Sequence, residues 1–247
     1  MSKHIAVAGK GGTGKTTLAS MLVRYLVETG KGSVLAVDAD FNSTLNEALG
    51  LEVEDTIANI LADVKKNKVP TGMTKDVFIE LKLHQALIET RDYDLLVMGG
   101  PQGPGCYCFP SEILKRHLES LDKNYDYMVI DNEAGMEHIS RETIENVDIL
   151  LVISDATAKG VRTAGRIYEL ARRLQIGIGA AYLIVTRIAD LEPLKGDIEA
   201  TGLELLGAIP DDPLVTEYDL QGKPLMGLPA DSPAVSASMK LFDKLRF

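Results

Sequence analysis

Gly9-Lys10-Gly11-Gly12-Thr13-Gly14-Lys15-Thr16-Thr17 is the stretch on which the fold turns. It satisfies GxxxxGK followed by Ser or Thr, a pattern that is informative only when a strand enters it and a helix leaves it. Both conditions are met. HIAVAG, residues 4 to 9, is an apolar run of strand length, and Lys15 to Thr29 carries apolar residues at three- and four-residue spacing. In such a loop the glycines let backbone N–H groups turn inward around phosphate oxygens, and the helix N-terminus adds partial positive charge. Lys15 neutralises the β- and γ-phosphates, and Thr16 is placed to ligate Mg²⁺. Gly11, Gly12, Thr13, Gly14, Lys15, Thr16 and Thr17 are therefore the expected contacts of a nucleoside triphosphate.

Outward from the loop, short aliphatic runs alternate with helical periods, as in a parallel sheet crossed by helices. The runs are residues 4–9, 33–38, 94–99, 126–131, 148–154, 180–186 and 205–210; the crossover helices are 15–29, 75–89, 111–122 and 159–174. The runs are continuous rather than alternating, as expected of strands covered on both faces. No Pro/Ser linker, charge block or internal repeat divides the chain. The expected fold is α/β: a single doubly wound, mostly parallel sheet with helices on both faces, one P-loop NTPase domain over residues 1–247. Ligands of such sheets lie at the carboxyl edge.

Composition agrees with a globular chain of this class. The 247 residues are 45% hydrophobic and 25% charged, which excludes disordered and fibrous classes. The formal charge of -10 argues against binding nucleic acid through bulk positive charge. No apolar run nears the roughly 20 residues that span a bilayer, and the start lacks a cleavable apolar core. The expectation is a cytoplasmic protein with neither nucleic-acid nor membrane partners. The C-terminal stretch 235–247 is read as a last helix packing on the sheet, since three basic residues and little apolar area make a weak membrane anchor.

Three carboxylates reach the carboxyl edge beside the loop. Asp38 and Asp40 follow the second run, where a carboxylate can hold the metal's water shell or orient the attacking water. Each is also a residue type that caps helices. Asp131 ends the run 126–131 in Asp-Asn-Glu-Ala-Gly, and is expected to meet Mg²⁺ through water. Gly135 gives that segment freedom to rearrange when the γ-phosphate leaves. Glu137 and His138 read as a surface pair.

Both cysteines fall in Cys106-Tyr107-Cys108, on a Gly/Pro-rich loop beyond the run 94–99. In extended backbone, residues i and i+2 project to one side, so both sulfurs can face one ion. A disulfide at that spacing is strained. Two thiolates leave a tetrahedral site half filled, and a two-fold dimer meeting at this loop fills it with four sulfurs, suited to Zn²⁺, to Ni²⁺ in another geometry, or to a bridging cluster. The bland alternative is two free thiols in a turn.

The second loop lysine, Lys10, is not required by the phosphate cradle. With it, KGGxGKTT resembles the deviant Walker A of the dimeric ATPase class of MinD, ParA and the nitrogenase iron protein. That resemblance implies that Lys10 acts on the partner subunit's phosphates, that Asp40 positions water and that Asp38 lies nearer the metal. Phe41 departs from the Pro usual in that class. The resemblance also implies nucleobase contacts from Val185-Thr186-Arg187, where Thr186 stands in place of Asn, and from Ile209-Pro210-Asp211-Asp212. PGCYC at 104–108 and DNEAGMEH at 131–138 resemble the CooC family, accessory ATPases for nickel insertion into carbon-monoxide dehydrogenase. It implies a homodimer using ATP, Mg²⁺ and thiolate-bound Ni²⁺ or Zn²⁺ on behalf of a nickel-enzyme client. Two rival readings are a cluster-bearing reductase component, whose second cysteine loop this chain lacks, and a MinD- or ParA-like positioning ATPase.

Overall fold

The computed structural model describes residues 2–40, 42–66, 68–100, 116–134, 146–245 and 247. Among them eight strands form one sheet: β1 (Lys3–Gly9), β2 (Val34–Ala39), β3 (Ile88–Glu89), β4 (Asp94–Val97), β5 (Tyr127–Asn132), β6 (Asn146–Ser154), β7 (Gly177–Thr186) and β8 (Glu204–Ile209). Their order is β3-β4-β2-β5-β1-β6-β7-β8. Every pairing is parallel except the edge contact of β3 with β4. Such a sheet needs helical crossovers, and the helices cover both faces.

Period-two alternation sorts the strand residues between two cores. Ile5 and Val7 of β1 join one core with α1 (Lys15–Glu28), α2 (Leu45–Leu49) and the C-terminal helix Pro233–Phe242. Ala6 and Ala8 face the other, with α3 (Ile57–Lys65), α4 (Lys75–Ala86), the helical residues 116–121, α5 (Ala158–Arg173) and α6 (Lys195–Glu199). The remaining helices are α7 (Pro213–Leu220) and α8, the C-terminal Pro233–Phe242. Phe242 is fully buried and Leu245 nearly so, which makes α8 a core element, as its composition predicts.

The expected strands are all present, with ends shifted by one or two residues, or three at the start of β7, where helix and strand termini are least well determined by sequence. One boundary needs correction. The helix expected over 75–89 ends at Ala86, and Ile88–Glu89 pairs antiparallel with β4. The cause is a tight turn: Thr90 N–H donates to Asp94 Oδ1 at 3.0 Å, and Tyr93 N–H donates to Thr90 Oγ1 at 3.2 Å. These bonds fold the chain back before a further helical turn can form. Of the helix expected over 111–122, residues 116–121 are helical and 111–115 lie outside the described residues.

The topology sets the site. β1 lies between β5 and β6, and β2 beyond β5, so the carboxyl ends of β1, β2, β5, β7 and β8 open on one edge. That edge carries the phosphate loop, Asp38, Asp131, Thr186 and Asp212.

Candidate nucleotide site

The phosphate loop is shaped by two left-handed glycines, Gly12 at φ 77° and Gly14 at φ 90°. A Cβ at either would meet nothing, so it is the backbone conformation, not space, that requires glycine. Gly9 differs: a Cβ there would lie 2.6 Å from the Ile153 carbonyl oxygen, so glycine lets β1 run close against β6. Thr13, almost fully buried, donates through Oγ1 to the Lys10 carbonyl at 2.8 Å and closes the turn.

α1 then begins without a cap. Gly14 offers no side-chain acceptor, and the first turn holds no acidic residue. Five other helices do carry a side-chain cap: Thr56 on α3, Thr74 on α4, Thr157 on α5, Asp212 on α7 and Ser232 on α8. The 14-residue α1 thus presents bare N–H groups and an uncompensated positive dipole end. That arrangement suits an anion. Lys15 is 8% exposed, at the head of the helix, and adds a full charge.

Two buried carboxylates face this helix end. Parallel register pairs Asp38 of β2 with Asp131 of β5, so both side chains share one face of the sheet, the face that α1 covers. Thr16 Oγ1 donates to Asp131 Oδ2 at 2.6 Å and lies 3.4 Å from Thr44 Oγ1. Asp131 Oδ1 is buried with no hydrogen-bond partner. Burial pushes the Asp131 carboxyl up to about 7; the Thr16 hydrogen bond works against this, the neighbouring Asp38 adds to it, and Lys15 offsets part. Burial likewise raises Asp38 to about 6, opposed by the N–H groups of Leu45 and Asp40. Those N–H groups lie 2.9 and 3.0 Å from the Asp38 oxygens, so Asp38 caps α2 and shapes the turn after β2. Asp40 is half-buried and accepts from Asn42 N–H at 2.8 Å.

An oxygen donor set of Thr16 hydroxyl and Asp131 carboxylate, with one buried carboxylate oxygen unpartnered, fits a hard divalent cation such as Mg²⁺. Among the described residues no three His, Cys, Asp or Glu side chains are grouped closely enough to hold a metal ion by themselves. Mg²⁺ commonly retains water and binds through one or two protein ligands plus substrate phosphates. Cys106 and Cys108, with Gly135, Glu137 and His138, lie outside the described residues.

A cavity of about 510 Å³ extends from the loop toward β8. Gly12 to Thr17, Thr186, Arg187 and Pro210 to Asp212 all line it, so of the expected phosphate and nucleobase residues the structure brings these to one hollow, while Gly11 does not line it. Lys10 is exposed and does not line it. Two side chains turn elsewhere than toward a base. The Thr186 hydroxyl lies 2.9 Å from the Thr13 carbonyl and 3.1 Å from that of Ser154. Asp212, 5% exposed, accepts from Leu214 N–H and Ala234 N–H, each at 3.0 Å, and from the Ser232 hydroxyl. Burial alone would raise its pKa, but these hydrogen bonds outweigh it and hold the carboxyl below its usual value. Asp212 joins the start of α7 to the start of α8 and is a structural cap.

Sequence reasoning passed over Thr44, within reach of Thr16, and Asn132, whose Nδ2 donates to the Val7 carbonyl at 2.9 Å and ties β5 to β1. Asn132 directly follows Asp131, and an amide beside a carboxylate at the end of an apolar run was the available signal. Thr44 offered none beyond its residue type.

The model of the AAA domain family matches residues 2–177. An uncharacterized ATP-binding protein of Methanocaldococcus jannaschii is 40% identical, over 98% of this chain and 97% of its own length. The carbon monoxide dehydrogenase accessory protein CooC of Rhodospirillum rubrum is 33% identical over 88% of this chain and 87% of its own. The septum site-determining protein MinD of Bacillus subtilis is 29% identical over 90% and 80%. Among solved structures, MinD of Pyrococcus horikoshii complexed with Mg-ADP superposes with a TM-score of 0.74 at 24% identity, over 99% of this chain and 97% of that one. Among the described residues no helix is long and apolar enough to cross a membrane.

Proposed function

The chain belongs to the AAA domain family as a P-loop ATPase of the MinD and ParA class, and from that premise we propose that residues 1–247 act as one Mg²⁺-dependent ATP hydrolase domain. It works as a homodimer and serves maturation of a nickel enzyme such as carbon-monoxide dehydrogenase. The observation that carries the hydrolase reading is the uncapped start of α1 set against the Thr16–Asp131 pair. Phosphoryl transfer needs mainly positioning and charge stabilisation. The N–H groups of Gly11 to Thr17 and the Lys15 ammonium bind and neutralise the phosphates. Thr16 and Asp131 would hold Mg²⁺, which would supply further neutralisation of the phosphates. Asp38 fixes the turn that presents Asp40, and Asp40 orients the attacking water. Lys10, exposed and outside the lining of its own cavity, completes the site of the second protomer. Thr186 and Arg187 at the end of β7, with Pro210, Asp211 and Asp212 after β8, bound the nucleobase end.

The maturation half is supported by CooC, 33% identical over most of both chains, and by the Cys106-Tyr107-Cys108 tripeptide. Two such pairs across a two-fold axis give four thiolates for Ni²⁺ or Zn²⁺ as cargo. Anaerobic titration of the wild type, Cys106→Ser and Cys108→Ser with Ni²⁺ and Zn²⁺ tests this. The expected result is one ion per dimer in the wild type and none in either variant. Equal uptake by all three proteins sinks the reading.

The MinD likeness favours a second reading, a positioning ATPase that docks on a surface. ATP-dependent sedimentation with anionic vesicles, unaffected by either cysteine substitution, would select it over the nickel reading.

A further inference from the structure

We propose that Thr186 and Arg187, at the end of β7, are positioning residues that hold the phosphate loop by its carbonyl oxygens. The strand end expected to read the nucleobase instead sets the affinity for phosphate. This rests on the nucleotide-binding reading above and deepens it.

The N–H and C=O of one peptide unit point in opposite directions, because the unit is planar and trans. A loop whose N–H groups converge on an anion must therefore send carbonyls outward, and each of those needs a donor. Side chains supply three. The Lys10 carbonyl accepts from Thr13 Oγ1 at 2.8 Å, the Thr13 carbonyl from Thr186 Oγ1 at 2.9 Å, and the Gly12 carbonyl from the Arg187 guanidinium. Two of the three donors belong to consecutive residues of β7 and the turn that leaves it. Thr186 is 7% exposed, and its one hydroxyl proton is shared between Thr13 and the Ser154 carbonyl of β6 at 3.1 Å. No proton remains for a base edge. Arg187 takes a left-handed φ of 58°, uncommon for any residue but glycine, and its side chain reaches the loop from there. The clasp joins β6, β7 and the loop through side chains, so the pose of the loop's N–H groups depends on residues more than 170 positions away in sequence.

The experiment titrates wild type, Thr186→Val, Thr186→Ser and Arg187→Ala with Mg²⁺ and, separately, ATP, GTP and tripolyphosphate, which has no base. Valine keeps the shape of threonine and removes the hydroxyl. The expected result is a loss of about tenfold for Thr186→Val, equal across all three ligands, and recovery in Thr186→Ser, since one hydrogen bond is at stake. Arg187→Ala loses affinity in the same ligand-independent way, and because Arg187 is exposed this variant keeps the fold even if Thr186→Val does not. A loss confined to ATP, with tripolyphosphate binding unchanged, overturns the proposal and returns Thr186 to the base. Unchanged affinity in both Thr186→Val and Arg187→Ala overturns it as well. A wild type that binds none of the three removes the nucleotide reading itself, a result distinct from either.

Discussion

At the scale of single residues, the feature with the widest consequences is the Asp38–Asp131 pair, two carboxylates on adjacent strands beneath the phosphate loop. Burial raises both, from 3.8 to about 6 and about 7. An aspartate raised in the folded state holds its proton there and releases it on unfolding. Its contribution to stability is therefore complete below pH about 4 and is lost as pH rises through about 6 and 7. The ligand-free protein should melt at a lower temperature at pH 8 than at pH 5. Asp131→Asn, neutral at both pH values, should shrink that difference, by about 2–4 °C for each kcal/mol relieved, and should abolish Mg²⁺-supported hydrolysis. Calorimetry of both proteins across the pH range checks it, and an undiminished pH difference in the variant refutes it. The sequence reading expected Asp131 to meet Mg²⁺ through water; it had no means of revealing that Asp38 lies opposite it, because register is a property of the assembled sheet.

At the scale of elements, helix starts divide into those closed by a side chain and those left open. α1 is open, and its function depends on that. An acceptor introduced at the cap competes with phosphate for the same N–H groups. Gly14→Asp should therefore weaken ATP binding at least about tenfold, since it combines a left-handed position with a like charge facing the triphosphate. Isothermal titration gives the answer. Asp212 illustrates the opposite case, one carboxylate closing two helices. Asp212→Ala removes the cap of α7 and leaves the Ala234 N–H and Ser232 hydroxyl without their acceptor. It should cost about 1–3 kcal/mol, read as a fall in Tm of the ligand-free protein. A Tm within error of wild type would restore a ligand-facing role for this residue. The family resemblance implied that Ile209 to Asp212 contact the nucleobase. It did not distinguish a base contact from a cap, since Asp suits both and the second helix it reaches begins some 20 residues later.

On the scale of the whole molecule, Lys10 is the test of the dimer. It is exposed and lies outside its own protomer's cavity. Lys10→Ala should bind ATP within about threefold of wild type yet lose roughly 10³-fold in turnover, together with nucleotide-dependent dimerisation in analytical ultracentrifugation. Full turnover in that variant removes the in-trans role. Seven of the eight strands, the loop and the doubly wound class were legible from sequence, because apolar runs and helical periods are local signals and the phosphate loop is a contiguous stretch of chain. The short strand β3 was not, since two residues carry no period and their pairing is decided by the turn at Thr90. Sequence alone thus determined the fold class and where a triphosphate would sit, both being written in contiguous residues. Tertiary structure alone decided which carboxylates face each other and which donors hold the loop's carbonyls, because those contacts join residues up to 175 positions apart and depend on sheet order, strand register and side-chain direction.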